Sequence, residues 1–142
     1  MRPECPELAL EPVRIPHTVK TLPYNYCNEN DYQRLCGYRR EFFAPKEWQG
    51  RTVLLTFDAV AHDATVFCNG RRVFHHGCGY TAFTVDLTEA LRLGEKTVLA
   101  VRCDSREDLH LPPFSGHLDY RAVSLDVKEP AYLRDIFFVV ND

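Results

Sequence analysis

Three places along this chain hold side chains with chemistry to offer. His75, His76 and Cys78 put two imidazoles and a thiol close together. On an extended strand His76 and Cys78 would share a face, the beginning of a zinc site. A tetrahedral site needs further ligands, however, and none stands at motif spacing, so no metal and no cofactor is expected. Tyr80, Phe83 and Phe114 are the right residue types to stack on a sugar ring, although aromatic residues near strand ends more often fill a core. Arg39 and Arg40 alternate across a strand, which leaves one as a buried or interdomain ion-pair partner and the other solvated. Six cysteines, Cys5, Cys27, Cys36, Cys68, Cys78 and Cys103, admit about fifteen pairings. There is no CxxC, and Cys68 and Cys103 sit in apolar runs where a thiol behaves as a small hydrophobe, so thiols and a reducing, cytoplasmic setting are expected.

The elements that would position these groups are strands. Gly37 to Phe43, Thr52 to Val60, Ala64 to Cys68, Arg71 to His75, Ala82 to Asp86, Thr97 to Cys103, Arg121 to Val127 and Tyr132 to Val140 are rich in β-branched and aromatic residues and are separated by Pro45, Asn69-Gly70, Gly77, Gly94 and Pro130. In Thr52 to Val60 the odd positions Val53, Leu55, Phe57 and Ala59 form one apolar face, the mark of a half-buried strand. Asn69-Gly70 is a two-residue turn signal, since both positions tolerate positive φ. It predicts a hairpin in which Val66 opposes Val73 and Phe67 opposes Arg72. Ala64, Val66, Cys68 and Val73 then share one face, and Phe67 and Phe74 the other. A hairpin apolar on both faces calls for a core beneath and a loop, domain or partner above. One helical turn is expected at Glu89 to Leu93, from the capping-box spacing of Asp86 and Glu89 and the closing Gly94.

A chain of 142 residues with a net charge of −3 suffices for one independent core. Its charges are interspersed, which excludes the basic stripe of a nucleic-acid binder. No run approaches the ~18 apolar residues of a membrane span, and the first residues lack the apolar stretch of a signal peptide. Eight short strands at regular spacing point to an all-β sandwich, with a jelly roll the natural arrangement at this length. Residues 1–35 contain five of the nine prolines and little periodicity, an extended amino-terminal arm laid on a single sandwich domain spanning 36–142. Asp104 to Asp119, with its Leu111-Pro112-Pro113-Phe114-Ser115-Gly116 breaker, is a long connection of the kind that carries function.

Five motifs in order, Ile15-Pro16-His17-Thr18, Gly37-Tyr38-Arg39-Arg40-Glu41-Phe42, Ala64-x-Val66-x-x-Asn69-Gly70, Gly79-Tyr80-Thr81-x-Phe83-x-x-Asp86-Leu87-Thr88, and Pro113-Phe114 to Asp119-Tyr120 followed by Tyr132-x-Arg134-Asp135-Ile136, resemble the amino-terminal sugar-binding domain of glycoside hydrolase family 2. The resemblance covers residues 15–140. It implies a galactose-binding-domain-like jelly roll that precedes an immunoglobulin-like sandwich and a catalytic (β/α)₈ barrel in β-galactosidases, β-glucuronidases and β-mannosidases. Relatives have a short link and a Gly-Gly before the Tyr-x-Arg signature, where this chain has Arg121 to Ala131.

The resemblance implies a division of labour. Retaining glycosidases use an acid/base and a nucleophilic glutamate about 5 Å apart, and in this family both lie on the barrel. This segment is therefore expected to be inactive alone, with no catalytic residue of its own. Its substrate-binding candidates are Asp119, matching a loop aspartate that contacts substrate hydroxyls, and Asn30, matching an asparagine some members supply ahead of the Gly-Tyr-Arg strand. A carboxylate suits the task, accepting two charge-assisted hydrogen bonds from neighbouring hydroxyls. The partners implied are a β-glycoside carbohydrate and the downstream domains, with neither nucleic acid nor membrane. His17 is expected to pin the arm to the sandwich. The alternative reading is a stand-alone carbohydrate-binding module.

Overall fold

The structure, a computed structural model, describes residues 10–17, 34–60, 62–106 and 122–133. Among the described residues seven strands run in the order β1 (Leu35–Ala44), β2 (Thr52–Phe57), β3 (Asp63–Cys68), β4 (Arg71–His76), β5 (Phe83–Asp86), β6 (Glu95–Asp104) and β7 (Val123–Lys128), with a 3₁₀ turn at Lys46–Trp48. They form a four-stranded sheet ordered β1-β6-β3-β4 and a three-stranded sheet ordered β5-β2-β7. Every pairing is antiparallel. The fold is an all-β sandwich, as the strand pattern predicts. Tyr132 and Leu133 lie outside any strand, and the remainder of the expected Tyr132 to Val140 strand lies outside the described residues.

Period-2 alternation decides which residues enter the core. On β2, Val53, Leu55 and Phe57 are buried while Thr52, Leu54 and Thr56 are half-buried. On the facing sheet Ala64, Val66 and Cys68 of β3 and Leu99, Val101 and Cys103 of β6 close the core from the other side. β2 stops at Phe57 rather than continuing to Val60. Asp58 N–H bonds to Ala122 O, the chain bends, and Val60 enters the core out of phase with the strand. The outer face of the smaller sheet is held by polar pairing, with the Thr56 and Thr84 hydroxyls 3.0 Å apart across the strands.

The hairpin forms at Asn69-Gly70 with φ of 51° and 81°, the positive values its two-residue turn requires. Phe67 opposes Arg72 as expected, but Val66 opposes Phe74 and not Val73, because the register shifts between Val66 and Phe67. Val73 is the extra residue of a β-bulge, and Val73 and Phe74 both pack on the core. Burial drives this shift. Phe74 reaches the opposite sheet and stacks on Phe83 with ring centroids 5.5 Å apart, while Phe57 stacks on the same ring at 4.9 Å. The outer face of the hairpin thus keeps Phe67 but not Phe74, so the pattern does not demand the overlying partner expected from it.

The helical turn expected at Glu89 to Leu93 falls earlier, as a single turn over residues 87–91 from which no helix continues. Asp86 does cap, with Oδ1 accepting from Thr88 N–H at 2.9 Å, but it caps a tight turn closed by Ala90 N–H and Leu91 N–H onto Leu87 O. Five residues bounded by Gly94, at φ 77°, are too few to repay helix nucleation.

Thr97, opposite Phe42 of β1, is fully buried, and its hydroxyl has no hydrogen-bond partner. Replacing it with the near-isosteric Val removes an unsatisfied polar atom without opening a cavity. We expect Thr97→Val to stabilise the chain by about 1–2 kcal/mol, read as a raised urea midpoint at constant m.

Candidate functional site

Asp119 and Asn30, the substrate-binding candidates, lie outside the described residues. The chain on either side of them is described, and it converges. Asn30 precedes Arg34, the residue that leads into β1, and the connection carrying Asp119 leaves β6 through Asp104, Ser105 and Arg106. Arg34 and Ser105 clasp each other. Ser105 N–H donates to Arg34 O at 3.1 Å, Arg34 N–H donates to Ser105 Oγ at 3.1 Å, and the Ser105 hydroxyl reaches Arg34 O at 3.1 Å. The exits of both candidate segments are therefore side by side at one end of the larger sheet. At its far end the connection re-enters at Ala122, bonded to Asp58 and continuing into β7 on the other sheet. The described ends of that connection therefore lie on different sheets.

Beside the clasp is an ion cluster. The Asp104 side chain is only 12% exposed and holds two guanidinium groups: Arg102 Nη2 at 2.8 Å, Arg106 Nη2 at 2.7 Å and Arg106 Nε at 2.8 Å, with Arg106 N–H at 3.3 Å. The Arg106 side-chain bonds hold the Asp104 carboxyl far below the ordinary carboxylate range. Partial burial opposes them, and the Arg106 backbone N–H, its charge and Arg102 add to the effect. Arg102, Asp104 and Arg106 form an Arg-x-Asp-x-Arg pattern, with Arg102 and Asp104 on one face of β6 and Arg106 just beyond its end. That pattern is the sequence signal by which this anchor could have been found.

The other singled-out residues resolve into structural roles. His17 Nδ1 lies 3.0 Å from the Tyr38 hydroxyl, with the two rings edge to face, so the Ile15-Pro16-His17 motif is attached to β1. His75 points outward to Asp63 Oδ2 at 2.6 Å, and His76 turns inward, stacking on Phe83 at 4.4 Å and meeting Thr81 Oγ1 at 2.9 Å. Cys78 lies beyond the end of β4, where a hydrogen bond with Thr81 lowers its thiol pKa. The expected shared face of His76 and Cys78 thus does not form. Among the described residues no group of three His, Cys, Asp or Glu side chains could hold a metal ion. Arg39 is exposed and pairs with Glu41 at 2.6 Å, and Arg40 is exposed too, so neither arginine of the pair is buried. Phe83 belongs to the core at 7% exposure and Tyr80 is 59% exposed, which separates the two as a platform; Phe114 lies outside the described residues.

The comparisons with known proteins agree with one another. The family model for glycosyl hydrolases family 2, sugar binding domain, matches residues 12–109. A β-galactosidase of Thermoanaerobacter pseudethanolicus is 36% identical over 95% of this chain and 19% of its own length. A β-glucuronidase of Bacteroides fragilis is 32% identical over 79% of this chain and 15% of its own length. A crystal structure of a glycosyl hydrolase family 2 member from Bacteroides cellulosilyticus superposes with a TM-score of 0.63 at 30% identity, covering 68% of this chain and 13% of that one. A solved Bacteroides fragilis protein reaches 0.73 at 31% identity, covering 82% of this chain and 18% of that one. The chain spans about a fifth or less of the length of these relatives.

The Asp104 cluster has a measurable signature. A carboxyl whose pKa is depressed by folding stabilises fully above its unfolded value of about 3.9, and that stabilisation is lost as pH falls towards the folded value. Asp104→Asn is expected to cost about 1–3 kcal/mol at neutral pH and to flatten the loss of stability between pH 4 and pH 2, measured by urea unfolding across that range.

Proposed function

This chain belongs to glycoside hydrolase family 2 as its amino-terminal sugar-binding domain, and on that premise we propose that it is a non-catalytic part of a retaining, β-galactosidase-like enzyme. Its task is to support a downstream barrel and to contribute one wall of that barrel's substrate pocket, with carbohydrate as the ligand and hydrolysis of O-glycosidic bonds as the reaction of the whole polypeptide. Two glutamates on the barrel perform the displacement through a covalent glycosyl intermediate. The jelly-roll arrangement, the division at residue 35 between arm and sandwich, the immunoglobulin-like domain between sandwich and barrel, and the cytoplasmic location belong to the same reading.

The observation that carries it is the Arg34–Ser105 clasp. It joins Arg34, which follows the segment containing Asn30, to Ser105, which precedes the segment containing Asp119, and this supports a reading in which side chains from both segments serve the same ligand. Asp119 would accept hydrogen bonds from adjacent sugar hydroxyls, and an epimer lacking one of them would leave the carboxylate unpaired. This supplies selectivity and orientation, while bond cleavage stays with the barrel.

In the polypeptide that includes the barrel, Asp119→Ala is expected to lower kcat/KM by about 1–3 kcal/mol, roughly 5- to 150-fold, and unchanged kinetics would remove Asp119 from the pocket. The 142-residue chain alone is expected to turn over no glycoside and to bind galactose or glucuronate no tighter than about millimolar, since an isolated carboxylate without a surrounding pocket supplies about 4 kcal/mol or less. Calorimetry showing micromolar binding would instead favour a self-sufficient carbohydrate-binding module.

A further inference from the structure

β1 and β6 place Cys36 directly opposite Cys103. Both face the core side of the larger sheet, because Cys103 also opposes the fully buried Ala64 of β3. Cys103 is 6% exposed and Cys36 is half-buried. The pair thus consists of one thiol that a solute can reach and a second directly behind it.

The ladder fixes how far apart they stand. Ser105 N–H bonds to Arg34 O, so Arg34 and Ser105 form a hydrogen-bonded pair, and alternation along an antiparallel ladder makes Cys36 and Cys103 another. Their Cα atoms are then about 5.5 Å apart, inside the span of about 4.4–6.8 Å that disulfides bridge. Their Cβ atoms have to approach by about 1–2 Å from the spacing of such a pair to that of a disulfide. Among the described strands β1 borders its sheet, so it has a neighbour on one side only to resist that movement. Proximity makes the bond accessible, and the required approach makes it strained and readily reduced.

We propose that Cys36 and Cys103 form a reversible cross-strand disulfide, a redox modification site that pins β1 to β6 beside the Arg34–Ser105 clasp. The oxidant class is a small-molecule disulfide such as oxidised glutathione. The Cys36 thiolate attacks it, forming a mixed disulfide and releasing one glutathione thiolate. The Cys103 thiolate then attacks Cys36 Sγ, closing the protein bridge and releasing the second. Two protein thiols lose two protons and two electrons, and one glutathione disulfide becomes two glutathione thiols. Burial raises the Cys36 thiol, with Arg34 opposing and Asp104 adding to the shift, which slows the first attack. Cys78, lowered by Thr81 and outside the β1–β6 ladder, serves as an internal comparison that takes up glutathione sooner.

The test uses the whole 142-residue chain incubated with oxidised glutathione, digested without reduction and mapped by mass spectrometry. The expected product is a peptide pair joined through Cys36 and Cys103. It should persist in Cys78→Ser, vanish in Cys36→Ser and in Cys103→Ala, and reopen in excess reduced glutathione. Recovery of Cys36 as a thiol, as a glutathione adduct only, or bridged to a different cysteine overturns the proposal. A bridge that withstands reduced glutathione overturns its reversible character.

Discussion

The sandwich depends on what happens at Asn69. Its backbone takes the left-handed conformation that turns β3 into β4, and its N–H bonds to Val98 O of β6. Its side chain then does two further things: Oδ1 accepts from Val98 N–H at 3.0 Å, and Nδ2 donates to Ala90 O at 3.0 Å. One residue joins the hairpin tip, an inner strand of the larger sheet and the turn that follows β5 in the smaller sheet. That turn is itself tied to β2, by Leu87 N–H to Val53 O and by the Thr88 hydroxyl accepting from Val53 N–H. Asp shares Asn's tolerance of positive φ but, ionised, has no donor for Ala90, and Gly has the conformation without either side-chain bond. Hydrophobic burial is non-directional and holds the two layers together without fixing their register; Asn69 supplies the register.

β6 transmits that constraint to the other end of the molecule. It pairs with β1 on one side and β3 on the other, and from Val98 to Ser105 it spans about 23 Å at the usual strand rise. There it ends in the Arg34–Ser105 clasp and the Asp104 ion cluster. The arginines are about half exposed, a setting in which a single ion pair adds little. Asp104 differs because it is nearly buried and accepts from a backbone N–H and two guanidinium groups at once. Four hydrogen bonds to one carboxylate fix the direction in which the chain leaves the sheet, which a single exposed pair would not do.

The fold was largely legible because its signals are local and periodic. The alternation in Thr52 to Phe57 and the turn at Asn69-Gly70 each carry their own physical cause, and the structure follows both. Where reading failed, a distant partner outweighed a local preference. Counting outward from the turn places Val73 opposite Val66, but a bulge brings Phe74 inward because Phe83 waits on the other sheet. Asp86 and Glu89 have capping-box spacing, yet Asp86 caps a turn that Asn69 and Val53 hold from outside. The candidate site was legible only through family resemblance. No periodicity marks Asp119 or Asn30, and the contact that ties together the described residues flanking their segments, Arg34 with Ser105, joins residues 71 positions apart.

The size of each effect determines the role a domain of this kind can play. Enzymatic rate enhancements correspond to about 8–23 kcal/mol of barrier lowering. One hydrogen-bonded carboxylate contributes about 1–3 kcal/mol, enough to choose between epimers and far too little to cleave an acetal. Even that contribution requires the carboxylate to be held within about half an ångström of its working position. A long connection anchored at one end would spend the interaction on ordering itself. Here the connection that holds Asp119 begins on the larger sheet, fixed by Ser105 and Asp104, and ends on the smaller one, where β7 pairs along the whole of β2. The stiffness of the sandwich, set at Asn69 and transmitted along β6, is therefore what would make a non-reacting wall useful to a catalyst on another domain.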